Sequence, residues 1–238
     1  MKDRGPAGLF PEVIDLAEVD STNRYALDEG RPGLLVRAMV QTAGRGRRGR
    51  QWHSPEGENL TMTATLTPPD QRYPIIAGTA VRSALAALAP STAVSLKWPN
   101  DVVIDGRKVC GILCESRADI TAIGMGVNVN QTVWPGDLEH RAASLRQLTG
   151  RRFDLDEVAM AVAAELSGWI RTYREHGFEP VRQEFLRHGS LQDYAVLDDQ
   201  GRRCSIVDLT PDGYLIIEVA GDRRVLVSES ISIGWEAA

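Results

Sequence analysis

The apolar pattern of this chain changes character once, near residue 190, and that change limits the architectures open to it. Before it, short apolar strands alternate with helices long enough to cover a sheet. Residues 74–89, "PIIAGTAVRSALAALA", are apolar on nearly every side, the pattern of a buried helix. Residues 154–177, "DLDEVAMAVAAELSGWIRTYREHG", repeat apolar positions at helical spacing, with Asp154 as a cap and Gly177 as a stop. From Leu191 onward the runs are short and alternating, and turns such as "DDQG", "PDG" and "AGD" join them. The order predicts an α+β protein. Residues 1–190 form a mixed β-sheet with packed helices, and residues 191–238 form a small antiparallel barrel or meander.

Within the first part, "EVIDLAEV", "GLLVRAMVQT" and "NLTMTATLT" read as strands, and "NRYALDEG" as a short helix capped by Ser21, Thr22 or Asn23. "AVSLKWPNDVVIDGRKVCGILCES" and "DITAIGMGVNVNQ" supply further strands, and "LEHRAASLRQLTG" reads as a helix ended by Gly150. "FEPVRQEFLRHGS" gives one more helix. Cys110 and Cys114 fall on one strand, about 13 Å apart, too far for a disulfide. They read as small buried hydrophobes in a reducing compartment. There is no apolar leader and no run of about 18 apolar residues, so the expected location is the cytoplasm, away from membranes.

The net charge is −5, which argues against general attraction to nucleic acid. Against that background "QTAGRGRRGRQW", residues 41–52, sets Arg45, Arg47, Arg48 and Arg50 among Gly44, Gly46 and Gly49. Glycines let successive backbone N–H groups converge, and guanidiniums add charge-assisted, often bidentate hydrogen bonds. Such a loop suits phosphate or carboxylate; a solvated turn or an RNA-binding RG tract are the other readings. A second polar cluster, "KWPNDVVIDGRKVCGIL", sets Lys97, Asn100 and Asp101 beside Trp98, with Lys108 and Gly111 on the next strand. In "GMGVNVN", glycines interrupt a strand that leads to Asn128 and Asn130, a sign of close approach by ligand or backbone. There is no zinc spacing, nucleophile elbow, Walker loop or dinucleotide fingerprint. A cation-rich site without a protein nucleophile points to reaction between bound ligands.

Taken together, "VDSTN", "QTAGRGRRGRQW", "KWPNDVVIDGRKVCGIL", "GMGVNVN" and "LTPDGYLIIEV" resemble biotin protein ligase, from about residue 15 to the end. The resemblance implies a sheet of the class II aminoacyl-tRNA synthetase and biotin ligase type, followed by an SH3-like β-barrel. It implies two steps: biotin and ATP give biotinyl-5′-AMP and pyrophosphate, then a lysine of a biotin carboxyl carrier protein takes the biotinyl group and releases AMP. Magnesium is implied as the shield of the phosphates. By motif, Ser21, Thr22, Asn23 and Gln41 face the ureido ring, while Gly44, Arg45, Gly46 and Arg47 close over biotin. Arg48, Arg50 and Trp52 complete that lid toward phosphate. Lys108 stands between carboxylate and α-phosphate, with Gly111 passing close to the ligand. Lys97, Asn100, Asp101 and Asn128 face nucleotide and metal, Asp101 being also the candidate base for the acceptor lysine.

Departures from the family pattern are His53 after Trp52, the two strand cysteines and "AASL" at 142–145, which receives no role. The adenine-stacking aromatic of some members has no clear counterpart. About ten residues precede the catalytic pattern, so the winged helix-turn-helix of some members is not expected. Monomer and homodimer both stay open. The rival enzyme is a lipoate protein ligase, which needs a long apolar tunnel; the rival from another class is an RNA-binding module. A third is an inactive biotin-binding homologue, which intact Lys108, Asp101 and Arg47 oppose.

Overall fold

The computed structural model describes residues 8–189, 194–198, 200–227 and 232–237. The first half builds a seven-stranded sheet from β1 (Glu12–Val19), β2 (Leu34–Gln41), β3 (Leu60–Leu66), β4 (Val94–Lys97), β5 (Asp101–Ile104), β6 (Arg107–Arg117) and β7 (Ile120–Val127). Their spatial order is β1-β2-β3-β7-β6-β5-β4. β1 and β2 are parallel and the remaining pairs antiparallel, so the sheet is mixed.

Strand alternation divides this sheet into two faces of different chemistry. Met62, Ala64, Ile112, Ile123 and Met125 join the main apolar core. That core also holds Ile76, Val81 and Leu85 of α2 (Tyr73–Leu88) and Val162, Leu166 and Ile170 of α4 (Leu155–His176). The opposite face presents Thr61 and Thr63 of β3, Gly111 of β6, and Gly124 and Gly126 of β7. Over it lies α1 (Thr22–Glu29), whose Ala26 and Leu27 cluster with Leu34, Val36 and Ala122. Thr61, Thr63 and Thr65 therefore do not face solvent: every residue of β3 is buried.

The helices expected at 74–89 and 154–177 form within a residue of those limits, with Asp154 accepting the Asp156 N–H. The helix expected from "LEHRAASLRQLTG" does not form whole. Residues Gly136–His140 make a 3-10 turn, and only α3 (Leu145–Thr149) is helical. Between them Lys108 N–H donates to Arg141 O (2.8 Å) and Ala143 N–H to Lys108 O (3.0 Å), so tertiary backbone pairing overrides local helix propensity. Ser144 then starts α3 with a capping box shared with Gln147.

The C-terminal strands β8 (Tyr194–Leu197), β9 (Arg203–Leu209), β10 (Leu215–Val219), β11 (Asp222–Leu226) and β12 (Ser232–Ala237) form a five-stranded antiparallel sheet, ordered β11-β10-β9-β8-β12. The boundary expected at Ser190 lies outside the described residues. The β9–β10 turn seats on the first part. Trp98 Nε1 donates to Gly213 O (3.0 Å) and Tyr214 OH to Gln71 Oε1 (3.0 Å), and Arg182 of α5 (Glu179–His188) pairs with Asp208.

Candidate active site

On the α1 face of the large sheet a cavity of about 640 Å³ opens between the glycine-arginine loop, α1 and the β4–β5 hairpin. The site residues expected from the sequence line it, except Gly44 and Arg48.

One end is polar and neutral. Ser21 occupies the N-cap of α1, yet its hydroxyl does not cap the helix. Thr22 N–H donates to Gln41 Oε1 (2.9 Å), and Thr22 Oγ1 lies 3.1 Å from the same oxygen. Asn23 Nδ2 donates to Leu113 O (3.0 Å) and Glu115 Oε2 (2.9 Å). Gly124 makes this possible, because a Cβ there would lie 2.3 Å from Asn23 Oδ1. The in-strand glycines of "GMGVNVN" thus admit side chains. A Cβ on Gly126 would meet the Trp52 ring at 2.4 Å, and one on Gly111, its cross-strand partner, would meet Trp52 at 3.1 Å and Lys108 at 2.8 Å.

The glycine-arginine loop is folded as a tight hairpin. Arg45 bridges Gln51, Gly46 N–H donates to Arg50 O (2.7 Å), and Trp52 N–H donates to Gly44 O (3.0 Å). Its tip is a 3-10 turn at Arg47–Gly49, where Arg48 has φ 59°. Gly44 supports the hairpin from behind, since a Cβ there would sit 2.8 Å from Trp52 O. Two loop arginines reach across: Arg45 to Glu115 (3.1 Å) and Arg47 to Asn100 Oδ1 (3.1 Å).

The other end is cationic. Arg47, Arg50, Lys97, Lys108 and Arg141 line it, with Asp101 as the carboxylate among the described lining residues. Lys108 Nζ pairs with Asp101 Oδ1 at 2.7 Å and stands 5.7 Å from the centre of the Trp52 ring. Asn100 is held by paired bonds to Ile112, its Nδ2 donating to the carbonyl (2.7 Å) and its own carbonyl accepting the N–H (2.9 Å). Burial pulls the Lys97 ammonium below the ordinary lysine value, opposed by the charge of Asp101. Burial also lowers the Arg47 pKa, as do Arg48 and Arg50, while Asp101 raises it. Two buried polar atoms here have no protein partner, Trp52 Nε1 and Asn128 Oδ1. A cluster of cations with a spare donor and a spare acceptor has the chemistry that suits a polar anion.

Sequence reasoning missed Thr63, Glu115 and Arg141, and gave no role to Trp134. The Trp134 indole donates to Gln147 Oε1 (2.8 Å), and its ring lines the mouth with Pro135 and Leu138. An aromatic after "NVNQ" was the one local signal for this wall. Cys110 is fully buried, which pushes its thiol pKa up, and Cys114 is partly buried; both are free thiols.

The sequence profile of the biotin/lipoate A/B protein ligase family matches residues 16–130. Along the chain, 32 % identity over 240 residues relates it to the biotin--[acetyl-CoA-carboxylase] ligase of Paracoccus denitrificans, covering 92 % of this chain and 99 % of that one. The bifunctional ligase/repressor BirA of Bacillus spizizenii is 36 % identical over 186 residues, 73 % of this chain; the match spans only 57 % of that relative's length. Among solved structures, the biotin protein ligase from Aquifex aeolicus in complex with biotin and ATP superposes with a TM-score of 0.83 at 31 % identity, covering 94 % of this chain and 99 % of that one. The chain belongs to the biotin/lipoate A/B protein ligase family. The Paracoccus denitrificans relative, matched over 99 % of its length, is a biotin--[acetyl-CoA-carboxylase] ligase.

Proposed function

We propose that this chain is an ATP-dependent biotin protein ligase acting through biotinyl-5′-AMP. The observation that carries the reading is one cavity with a neutral hydrogen-bonding end at Thr22, Asn23 and Gln41 and a cationic end at Arg47, Lys97 and Lys108. The first suits an uncharged ureido ring, the second a polyphosphate. The ligand's carboxylate then lies where the two ends meet.

In the first step a biotin carboxylate oxygen attacks the α-phosphorus of ATP, and the bond to the bridging oxygen of pyrophosphate breaks. Two anions must approach each other, so positive charge at the point of contact lowers the barrier. Lys108 supplies it on exchanging Asp101 for the reacting anions, with Arg47 and Arg50 on the loop side. Trp52 Nε1 is a further donor. Magnesium, when bound, shields phosphate charge; Asp101 and the unpartnered Asn128 Oδ1 are oxygen donors fit to hold it together with phosphate oxygens. Trp134, Pro135 and Leu138 offer an apolar wall to the nucleoside.

In the second step the acceptor lysine amine attacks the mixed anhydride, forming an amide and releasing AMP. That amine, with a free pKa of about 10.4, must lose a proton, and Asp101 is the nearby base. The partner is a biotin carboxyl carrier protein. The C-terminal sheet, residues 191–238, we read as an SH3-like barrel appended to the catalytic part. No helix of the described residues is long and apolar enough to cross a membrane. Incubating the chain with biotin, ATP, magnesium and a purified carrier domain should make the carrier bind streptavidin. A carrier that stays unmodified with biotin but gains a lipoyl group when lipoate is supplied would transfer the assignment to lipoate ligation.

A further inference from the structure

Residues 132–135, which carry the Trp134 wall, belong to neither helix nor strand, so side chains must serve their backbone groups. Two glutamines do so. Gln131 Nε2 donates to Val133 O (2.8 Å), and Gln131 Oε1 accepts from Asn59 Nδ2 (2.6 Å). Gln147 Nε2 donates to Thr132 O (3.2 Å), and Gln147 Oε1 accepts the Trp134 indole N–H (2.8 Å).

Gln147 Oε1 also accepts the Ser144 N–H (3.2 Å), its share of the capping box on α3. All three contacts fix the amide the same way round. Turned over, its NH2 would face two N–H donors and its oxygen would face the Thr132 carbonyl. A glutamine that only capped α3 would need Ser144 alone, yet the shorter bond here goes to Trp134. Ala143, next to Ser144, gives its N–H to Lys108 O (3.0 Å). One side-chain oxygen therefore joins the wall at the cavity mouth to the stub that holds the Lys108 backbone.

We propose that Gln147 is a positioning residue for the nucleotide: it anchors the Trp134 indole and the Thr132 carbonyl, and so holds the wall in place against the nucleoside. The proposal rests on the biotin-ligase reading, which sets a nucleoside against that wall, and adds what keeps the wall there. Trp134 is only 8 % exposed, so its ring is held by packing as well, and Gln147 fixes its polar edge. An aromatic ring already ordered before the base arrives spares the complex the cost of ordering it.

The test is a set of calorimetric titrations of α,β-methylene-ATP with magnesium and of biotin, each alone, so that no adenylate forms. Gln147→Leu keeps most of the bulk and removes the polar contacts. Nucleotide-analogue affinity should fall about fivefold or more, while biotin changes by less than about twofold. Ser144→Ala removes the hydroxyl that caps α3 but leaves the bond to Trp134. It should lower Tm and keep analogue affinity within about twofold. Trp134→Phe keeps a ring and removes the N–H, so adding Gln147→Leu to it should cost less than about twofold more. Unchanged analogue affinity in Gln147→Leu, an equal loss for biotin, as large a loss in Ser144→Ala, or fully additive losses in the double variant would overturn the proposal. Failure of the unaltered protein to bind biotin would instead strike at the biotin-ligase reading itself.

Discussion

At the scale of single residues, the site depends on missing side chains as much as on present ones. Gly111 and Gly126 face each other across β6 and β7, and the Trp52 ring lies over them. Gly126→Ala would place a methyl 2.4 Å from that ring, which must then move away from Lys108. A misplacement of about 1 Å near the chemistry can cost about a hundredfold in rate, and adenylation should fall on that order in this variant while the fold persists. A near-normal rate would show that the ring does not help to position Lys108. Lys97 makes a separate prediction. Its pKa is lowered chiefly by burial, and a polyanion bound beside it would favour the charged form and raise the pKa again. ATP binding at mildly alkaline pH should therefore take up a fraction of a proton, read by calorimetry in two buffers of different ionisation enthalpy. Proton release would contradict it. Thr63 and Glu115 were not legible in the sequence, because their importance comes from contacts 40 and 92 residues away, with Asn23.

At the scale of elements, local pattern was enough where local pattern decides. The helices at 73–88 and 155–176 carry periodic apolar faces, and both form close to the limits the spacing gives. Residues 138–150 had a helical composition too, yet hydrogen bonds to Lys108 divert 141–143 into a strand-like stub, and no local signal encodes that partner. That stub clamps the backbone of Lys108, the residue we propose meets the reacting phosphate. The glycine-arginine loop shows the opposite case. Its composition suggested a flexible cradle, and it forms a hairpin whose exposed tip carries Arg48 at positive φ. Trypsin should cut the free protein at that tip. If opening precedes cleavage, ligand at ten times its Kd should slow cutting about tenfold, since binding suppresses opening by the factor 1 + [L]/Kd. Equal cutting with and without biotin plus ATP would show that the loop does not close on them.

At the scale of the whole molecule, the C-terminal sheet is tied to the β4–β5 hairpin that carries Lys97, Asn100 and Asp101. Gly213 is the joint. It has φ 84°, accepts from Trp98, and a Cβ on it would approach Ile75 to 2.9 Å. Gly213→Ala combines crowding with a disfavoured backbone, a cost of about 2 kcal/mol. For a chain of this size that lowers Tm by roughly 4–8 °C, and an unchanged Tm would mean that the turn is not seated as described. The passage from a helix-covered sheet to short antiparallel strands was visible in the sequence as a change of period, whereas this joint was not, because Trp98 and Gly213 are 115 residues apart. The central claim, that one cavity brings a carboxylate and a nucleotide together, is tested most directly by a single-turnover assay with biotin, α-labelled ATP and magnesium but no carrier. A protein-bound adenylate should form only when biotin is present, and Lys108→Ala should slow its formation by about a hundredfold or more. No adenylate with biotin, or an adenylate formed equally well by Lys108→Ala, would contradict the account.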